Sequence, residues 1–320
     1  IWDGKDRAGR AVADGEYYLE GSFTDRAGNK VNPERIRVAL DTRRIELGLQ
    51  VPEYHSLRAS REGMRIGLGS TQYDQVESWV IGIEDSTGRV VRRINGMDRL
   101  PESVVWNGQT DLGSAPDGRY RANLSVVYRK GTEVSVYSPV FTVDSTPPAV
   151  SVEVDNRIFS PDGDGRKDVV RVTVKSSELV SYTGAVVDGS GRKVVEISSP
   201  VADLREGVAI WDGKDRAGRA VADGEYYLEG SFTDRAGNKV SPERIVVTLD
   251  TTPPVIALSA KSKPFYRDGE MVVGEVLISL SMLDQVGVSS WEILVYDESG
   301  KQIKNVKATG KPPAEILWDS

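Results

Sequence analysis

The chain contains a nearly unchanged internal repeat, which limits the possible fold more than any other feature of the sequence. Residues 1–42 return at residues 210–251 with only three differences. These differences are Asn32 to Ser241, Arg37 to Val246 and Ala39 to Thr248. The same frame recurs more loosely, so that successive tryptophans are spaced 104, 105 and 107 residues apart at Trp2, Trp106, Trp211 and Trp318. This period has the length of one small domain, and the sequence therefore predicts a tandem array of similar domains.

Alternation of apolar and polar residues predicts strands along the chain. After the Asp-Gly pair of the first copy, Tyr17, Leu19 and Phe23 fall on one face. The looser copy places Tyr120 and Leu124 on the equivalent face. No window has a sustained helical period, and 32 Gly and 15 Pro separate the short strands. The predicted fold class is therefore all-β, with each repeat forming a β-sandwich.

Proline-rich joints mark the expected domain boundaries. The segments that begin at Asp144 and Asp250 both end in two prolines, which restrict φ and favour extended backbone. The joint after Thr42 lacks both prolines, so we expect it to bend more than the other two. The predicted divisions are the C-terminal half of a repeat at 1–42, domains at 43–145 and 146–251, and the N-terminal half of a repeat at 252–320.

The two half-repeats leave two interpretations open. A half-sandwich would expose a core face and strand edges. Either the halves are windows on a longer array, or the 252–320 half of one chain completes the 1–42 half of the next and builds a filament. Residues 317–320 duplicate the place of residues 1–4, so such a join would overlap by four residues. This overlap favours the longer array.

Large aromatic residues recur in each half-repeat and are expected to fill the cores. These residues are Trp2, Trp79, Trp106, Trp211, Trp291 and Trp318. Their fixed spacing is more typical of core positions than of sugar-stacking platforms. Tyr18 and Tyr227 fall instead on the outward face of a polar strand. They are the candidate residues for binding a glycan or a surface protein.

Composition argues against several classes of function. The chain has no Cys and one His, which excludes disulfides, thiolate metal sites and most imidazole-dependent catalysis. The net charge of −7 is spread evenly, which argues against a nucleic-acid partner, and no apolar run could span a membrane. His55 is expected in a surface loop, and the pair Asp3 and Asp6 is expected to close a turn. The sequence predicts a protein that is not an enzyme.

One acidic loop is the candidate metal site. Asp162, Asp164 and Asp168 stand at relative positions 1, 3 and 7 around two glycines. Calcium takes about six to eight oxygen ligands, which the three carboxylates and the Arg166 carbonyl could supply in part. Asp155 is near enough in sequence to add another oxygen. The alternative is a solvated turn whose aspartates bond their own backbone.

These motifs resemble those of tandem bacterial Ig-like repeats. The pattern Trp-Asp-Gly-Lys-Asp-x-x-Gly-Arg-x-Val-x-x-Gly-x-Tyr at 211–226 resembles the Ig-like domain of the flagellar hook-capping protein family. Phe-Ser-Pro-Asp-Gly-Asp-Gly at 159–165 is similar to a signature of gliding-type surface-protein Ig-like modules, where Asn is usual at Asp162. The Thr-Asp-Arg-Ala-Gly-Asn box at 24–29 and 233–238 also looks like such repeats.

The resemblance implies tandem Ig-like (fibronectin III-like) β-sandwiches arranged as an elongated rod. It implies a structural scaffold, a stiff stalk or filament, in a large bacterial protein outside the cytoplasm, at the cell surface, secreted or periplasmic. The implied partners are further Ig-like repeats of the same chain or neighbouring copies of the chain. It brings no catalytic residues. An adhesin or glycan-binding surface module is the alternative function. Residues 43–146 depart from the pattern because they lack the acidic loop, so calcium is expected only in 146–251.

Overall fold

The computed structural model describes residues 2–197, 204–267 and 270–319. Nearly all of its regular structure is β, with 56% of the described residues in strands and 1% in helix. This confirms the all-β fold class that the alternation predicts. No helix in the described part of the chain is long and apolar enough to cross a membrane.

Two compact units divide the chain. Unit 1 comprises Ile1–Thr146 and Arg235–Asn238, and unit 2 comprises Pro147–Asp234 and Lys239–Ser320. The main division thus falls inside the first proline-rich joint.

Residues 1–42 contribute four short strands to unit 1. These are β1 (Gly15–Leu19), β2 (Phe23–Thr24), β3 (Lys30–Val31) and β4 (Ile36–Leu40). β1 pairs antiparallel with β4, and β2 pairs antiparallel with β3. Asp-x-x-Gly turns begin at Asp6 and Asp25, where the Asp N–H donates to the carbonyl four residues on. In each turn the Asp carboxylate accepts the N–H groups two and four residues on.

The rest of unit 1 forms a complete two-sheet sandwich. Its strands are β5 (Leu47–Gln50), β6 (Tyr54–His55), β7 (Met64–Ser70), β8 (Val76–Asp85), β9 (Val90–Met97), β10 (Ser103–Trp106), β11 (Gln109–Thr110), β12 (Gly113–Ser114), β13 (Gly118–Tyr128), β14 (Glu133–Tyr137) and β15 (Phe141–Val143). One sheet has the order β10-β7-β5. The other has the order β6-β15-β13-β8-β9, with β14 also paired to β13. A short 3-10 turn at Tyr73–Gln75 carries the chain from β7 in one sheet to β8 in the other.

Unit 2 begins with a second complete repeat. Its strands are β16 (Val150–Val154), β17 (Ile158–Phe159), β18 (Val170–Asp188), β19 (Lys193–Glu196), β20 (Leu204–Trp211), β21 (Gly224–Asp234), β22 (Lys239–Val240) and β23 (Ile245–Leu249). β18 is 19 residues long and follows the path that β7 and β8 share in unit 1. Its first half pairs with β16 and β20, and its second half pairs with β19 and β21.

Residues 252–320 repeat the first half of that sandwich. Their strands are β24 (Val255–Arg267), β25 (Glu270–Leu283), β26 (Ser290–Tyr296), β27 (Gln302–Thr309) and β28 (Glu315–Asp319). β24, β25 and β28 form one sheet, and β26 pairs with β27. Val276 lies opposite Trp318 as Val170 lies opposite Trp211, so the two segments have the same register.

The inward-facing residues meet in the cores of the complete sandwiches. The Trp106 ring packs against Tyr120 and Phe141 with centroids 5.7 and 6.2 Å apart. Trp211 and Tyr226 are 5.0 Å apart in unit 2. In both repeats the indole N–H donates to the carbonyl three residues on, and the tyrosine hydroxyl donates to the carbonyl four residues back. The polar atoms of these buried rings are thereby satisfied, as burial requires.

The six recurring tryptophans are not equally buried. Trp79, Trp106 and Trp211 are 9%, 1% and 2% exposed. Trp291 is half-buried, and the side chain of Trp318 lies outside the described residues. Trp2 is 40% exposed, contrary to the core position predicted for it. The physical reason is that residues 1–42 do not include the strands that cover its counterpart in the complete repeat.

Residues 1–42 and 210–251 are nearly identical, but only the second copy is covered by another sheet. Leu19 and Phe23 are 48% and 59% exposed, whereas their counterparts Leu228 and Phe232 are 4% and 2% exposed. The tryptophan–tyrosine pair nevertheless has its ring centroids 5.0 Å apart in both copies. The segment therefore sets its own local conformation, and burial of its apolar face depends on the other half of the repeat.

This difference predicts unequal effects for one substitution in two nearly identical contexts. Leu228→Ala should lower the free energy of unfolding of the 146–251 sandwich by about 2–5 kcal/mol, because it empties a packed site. Leu19→Ala, in a monomeric chain, should change stability by only about 0.5 kcal/mol because the side chain is already exposed. Native-state hydrogen exchange of β21 and β1 amides measures both effects. Equal losses at the two positions would contradict the open face of residues 1–42.

Candidate functional sites at the joints and in the 159–168 loop

Each repeat places an aspartate beside its exit joint. An Asp-Gly pair stands at the start of β1, β13 and β21, with its glycine as the first residue of the strand, and each of these strands pairs with the last strand of its repeat. The glycine lies opposite the final residue of that last strand in all three copies. The preceding residues, Asp14, Asp117 and Asp223, are therefore carried to the point where the chain leaves the repeat.

The aspartates hold the joints by hydrogen bonds. Asp117 accepts the Ser145 N–H at 2.7 Å and the Thr146 hydroxyl at 2.6 Å. Asp223 accepts the Thr252 hydroxyl at 2.7 Å. Because an ionised acceptor strengthens a hydrogen bond, both joints leave their repeat in a restricted conformation.

The first joint has no prolines but is held by charged side chains. Asp14 accepts the N–H and the hydroxyl of Thr42 at 2.9 and 2.7 Å. Lys130 Nζ donates to the carbonyls of Asp41 and Arg43 at 3.4 and 3.1 Å. Hydrogen bonds from the Arg43 side chain are the main reason that the pKa of Asp41 falls to about 2. The first joint therefore has side-chain contacts where the other two have prolines, and its greater bending stays a prediction.

The turn Arg235–Asn238 belongs to unit 1, and its asparagine is buried there. Asn238 is 3% exposed, and its Nδ2 donates to the carbonyl of Asp144 at 2.8 Å. The same nitrogen lies 3.4 Å from the Thr146 carbonyl, and Oδ1 accepts the Ser56 hydroxyl. One side chain thus bonds both ends of the 144–146 segment.

The same asparagine in the first copy behaves differently. Asn29 is exposed, and its Nδ2 donates to Asp25 Oδ2 at 2.8 Å inside its own turn. Asn29 therefore helps to close its own turn. The Asn238 amide instead bonds the 144–146 joint. The identical hexapeptides 24–29 and 233–238 therefore make different hydrogen bonds in different surroundings.

The Asp-x-x-Gly turns close hairpins between consecutive strands. At Asp188 the N–H donates to the Arg192 carbonyl at 3.0 Å, and Oδ1 accepts the Ser190 hydroxyl at 2.6 Å. The Ser190 hydroxyl is the main group that lowers the pKa of Asp188, which falls to about 2. The turn at Asp297 has the same arrangement, with Ser299 as the hydroxyl donor.

The 159–168 loop brings three aspartates together between β17 and β18. Asp162, Asp164 and Asp168 each place a carboxylate oxygen within 4.8 Å of the others. The two intervening glycines have φ of 86° and 82°, which only glycine adopts without strain. The three carboxylates thus converge in a tight loop, while their role as metal ligands stays a prediction.

Backbone N–H groups of the loop also use these carboxylates. Asp168 accepts the N–H groups of Gly163 and Gly165 at 2.8 and 2.9 Å. Asp162 accepts the N–H of Asp164 at 3.0 Å. A carboxylate has about four lone-pair sites, so these bonds leave capacity for a cation. The donor set consists of hard oxygens and fits calcium in chemistry.

The other two residues assigned to the metal site take other places. Asp155 is not in the cluster, and its Oδ1 accepts the Arg171 N–H at 2.9 Å. The Arg166 N–H donates to Asp164 at 2.7 Å. Ligation by Asp155 and by the Arg166 carbonyl stays a prediction.

The candidate binding tyrosines lie in different surroundings. Tyr18 is 57% exposed and lies opposite Arg37. Tyr227 is half-buried and lies between Val187 and Val246 on the neighbouring strands. Ligand binding by either tyrosine stays a prediction.

His55 departs from the surface loop predicted for it. It belongs to β6, which pairs parallel with β15, and its carbonyl accepts the Asp144 N–H at 3.0 Å. The side chain is half-buried, and burial lowers its pKa. A short strand that extends the sheet edge is not visible in the sequence because only two residues pair.

Sequence reasoning misses the residues that hold the joints. The sequence does contain a feature that could have revealed them. In all three copies, the Asp of the Asp-Gly pair bonds the residue that follows it by 28 positions. The constant spacing follows from the pairing of the first and last strands. Unless the pairing of these two strands is known, nothing in the sequence indicates that the Asp and the joint residue are in contact.

Several solved structures are similar to the chain at low sequence identity. No family model and no curated protein matches the chain. A tetra-tandem repeat in the extending region of a large adhesion protein is 21% identical over 96% of this chain and 73% of that chain, with a TM-score of 0.31. Fibronectin(III)-like modules of Clostridium thermocellum CbhA are 11% identical over 64% of this chain and 93% of theirs, with a TM-score of 0.34. A 1.5-MDa bacterial ice-binding adhesin is 14% identical over 88% of both chains, with a TM-score of 0.35. Such low scores do not bear on function.

The turn at Asp188 gives a test of pH dependence. Its lowered pKa means that the ionised carboxylate stabilises the folded turn above about pH 3.8, and that this contribution is lost as the pH falls through about 2. Ser190→Ala should raise the pKa of Asp188 towards 3.8, because it removes the largest favourable hydrogen bond. Titration of the side-chain carboxyl resonances by NMR measures this. Ser299→Ala is the matched control and should move Asp297 alone. An unchanged pKa of Asp188 in Ser190→Ala would contradict the assigned cause.

Proposed function

We propose that the chain is a non-catalytic structural segment of a large bacterial surface protein, in which tandem Ig-like repeats act as a stiff stalk or filament. The observation that carries this function is the aspartate that bonds the exit joint in all three copies. A domain that only binds or transforms a ligand does not need its joints fixed, whereas a spacer does. The motif resemblance supports a relation to the hook-capping and gliding-type Ig-like repeats. It also supports a location outside the cytoplasm.

The stiffness has a simple physical basis in this proposal. Bending at a joint requires rotation about the backbone dihedrals of a few residues. Two prolines restrict φ after Thr146, and the Asp117 bonds restrict the residues before them. The partners in this role are further repeats of the same chain or neighbouring copies of it. Adhesion through Tyr18 and Tyr227 remains the alternative function.

Joint stiffness can be measured with spin labels, because the chain has no Cys of its own. Labels at Met97→Cys, which is 76% exposed, and at exposed Glu225→Cys should give a narrow distance distribution. Asn238→Ala should broaden it, because the 144–146 segment loses its side-chain bonds.

Asn29→Ala is the matched control, since it changes the same box where no joint is held. It should leave the distribution unchanged. A broad distribution in the parent chain would contradict the stiff-stalk function.

We also propose that the 159–168 loop binds calcium, which would stiffen that loop in the 146–251 repeat. Three ionised carboxylates within 4.8 Å of one another repel, and a divalent cation would remove this repulsion. Asp162, Asp164 and Asp168 would hold the ion, together with the Arg166 carbonyl. The corresponding loop after β6 carries no such cluster in the sequence, so the effect would be confined to one repeat.

Calcium at about 100 times its Kd should stabilise the folded chain by roughly 2.7 kcal/mol, measured as a rise in the thermal unfolding midpoint. Asp164→Asn should abolish this gain, because it removes a charge while the amide oxygen can still accept the Arg166 N–H. Glu62→Gln, in the corresponding loop of unit 1, is the control and should retain the gain. A calcium-dependent rise that persists in Asp164→Asn would place the ion elsewhere.

A further inference from the structure

A basic groove lies on the 146–251 repeat, between the hairpin turn after β18 and the turn that joins β20 to β21. Its volume is about 700 Å³, within the usual range for ligand sites, and all of its lining residues belong to this repeat. The charged lining residues are Asp188, Arg192, Lys193, Asp215, Arg216 and Arg219. Four cations and two carboxylates leave two positive charges here, in a chain whose net charge is −7. The groove therefore concentrates positive charge locally.

The two carboxylates hold two of the arginines in place. Arg219 Nε and Nη2 donate to Asp215 Oδ2 at 3.0 and 2.8 Å. Arg192 Nε and Nη2 both lie 3.0 Å from Asp188 Oδ2. A guanidinium has five N–H groups, so both exposed arginines keep N–H groups for a ligand. Because these side chains are already positioned, less conformational entropy is lost when a ligand binds.

The other two cations of the groove are not neutralised by a neighbour. The side chains of Lys193 and Arg216 are exposed, and neither forms an ion pair with any residue that the structure describes. The Arg216 N–H donates to the Val194 carbonyl at 3.3 Å, which ties the two turns to each other. Two uncompensated cations thus stand on a fixed pair of turns.

The same pair of turns forms in unit 1 without this charge. There the Asp111 N–H donates to the Val91 carbonyl at 3.0 Å, as the Arg216 N–H does to the Val194 carbonyl. The unit 1 equivalents of Lys193, Arg216 and Arg219 are Val90, Asp111 and Ser114. The fold therefore does not require cations at these positions, and their presence in unit 2 needs another explanation.

We propose that the basic groove binds an acidic glycan, a saccharide chain that carries carboxylate groups. The planar guanidinium of arginine matches a carboxylate through two parallel hydrogen bonds. Ala220, Val221 and Ala222 also line the groove and can contact the C–H groups of a sugar ring. Two net positive charges suit a ligand with one or two carboxylates. A densely charged polyanion such as a nucleic acid would meet repulsion from the net charge of −7.

This inference goes beyond the proposed stalk function, which needs no ligand. It also uses residues other than Tyr18 and Tyr227, the candidates for the alternative function. A narrow distance distribution at the joints does not depend on the groove, so failure of glycan binding leaves the stalk function intact.

NMR titration of the isotope-labelled chain with tri-galacturonate, an acidic trisaccharide, tests the proposal. We expect shifts of the backbone amides in 191–194 and 215–221, on the two turns that form the groove. Maltotriose, a neutral trisaccharide, should leave these amides unchanged. No shift with tri-galacturonate up to about 10 mM, ten times a weak Kd of about 1 mM, would overturn the inference.

Substitution of the two uncompensated cations tests the location of the site. Lys193→Gln combined with Arg216→Gln should raise the Kd for tri-galacturonate at least about tenfold, because it removes charged hydrogen-bond donors. Both side chains are exposed, and the ion pairs at Asp188 and Asp215 stay intact, so the repeat should remain folded. Arg89→Gln, in the equivalent hairpin turn of unit 1, is the matched control and should retain the Kd. Unchanged binding by the double variant would overturn the assignment to this groove.

Inorganic phosphate distinguishes a glycan site from a general anion site. Phosphate lacks the sugar rings that would contact the apolar lining, so its Kd at the same amides should be at least about tenfold higher than that of tri-galacturonate. An equal or lower Kd for phosphate would overturn the glycan assignment.

Discussion

A β-sheet with one apolar face is stable only when a second layer covers that face, and this constraint governs the whole molecule. The 1–42 and 210–251 segments differ at three positions, yet Leu19 is 48% exposed and Leu228 is 4% exposed. Their indole and tyrosine rings pack in the same way because those contacts lie within the segment. What differs is the presence of β18 and its neighbours. Local sequence therefore sets conformation, while the complete repeat supplies the hydrophobic free energy.

The same strand pairing that builds the sandwich also fixes its exit. Because the first and last strands of the C-terminal half are neighbours, the Asp-Gly pair that begins one strand meets the joint that follows the other. The restriction of the joints is thus a consequence of the fold rather than a separate feature. Where prolines are missing, Lys130 and Arg43 supply contacts of a different kind. Each joint is thus bonded to the repeat that it leaves by the side chains available there.

Features that depend on short intervals were predictable from the sequence. Alternation of apolar and polar residues indicated the strands and their inward faces. The role of Asp117 was not predictable, because its partner lies 28 residues away and is set by strand pairing. The two environments of Asn29 and Asn238 could not be distinguished either, since the hexapeptide around them is identical. Only the tertiary structure shows which residues these side chains contact.

The 159–168 loop makes most of its hydrogen bonds within itself and not with the sandwich. Both oxygens of Asp168 accept backbone N–H groups, and Asp162 bonds the N–H of Asp164. The loop's own hydrogen bonds therefore help to hold the three aspartates in place. Phe159, just before the loop, is 1% exposed and packs on Trp211 at 5.1 Å, which anchors the loop to the core. A cation bound here would change charge repulsion and rigidity locally, while the sandwich beneath it would keep the same packing.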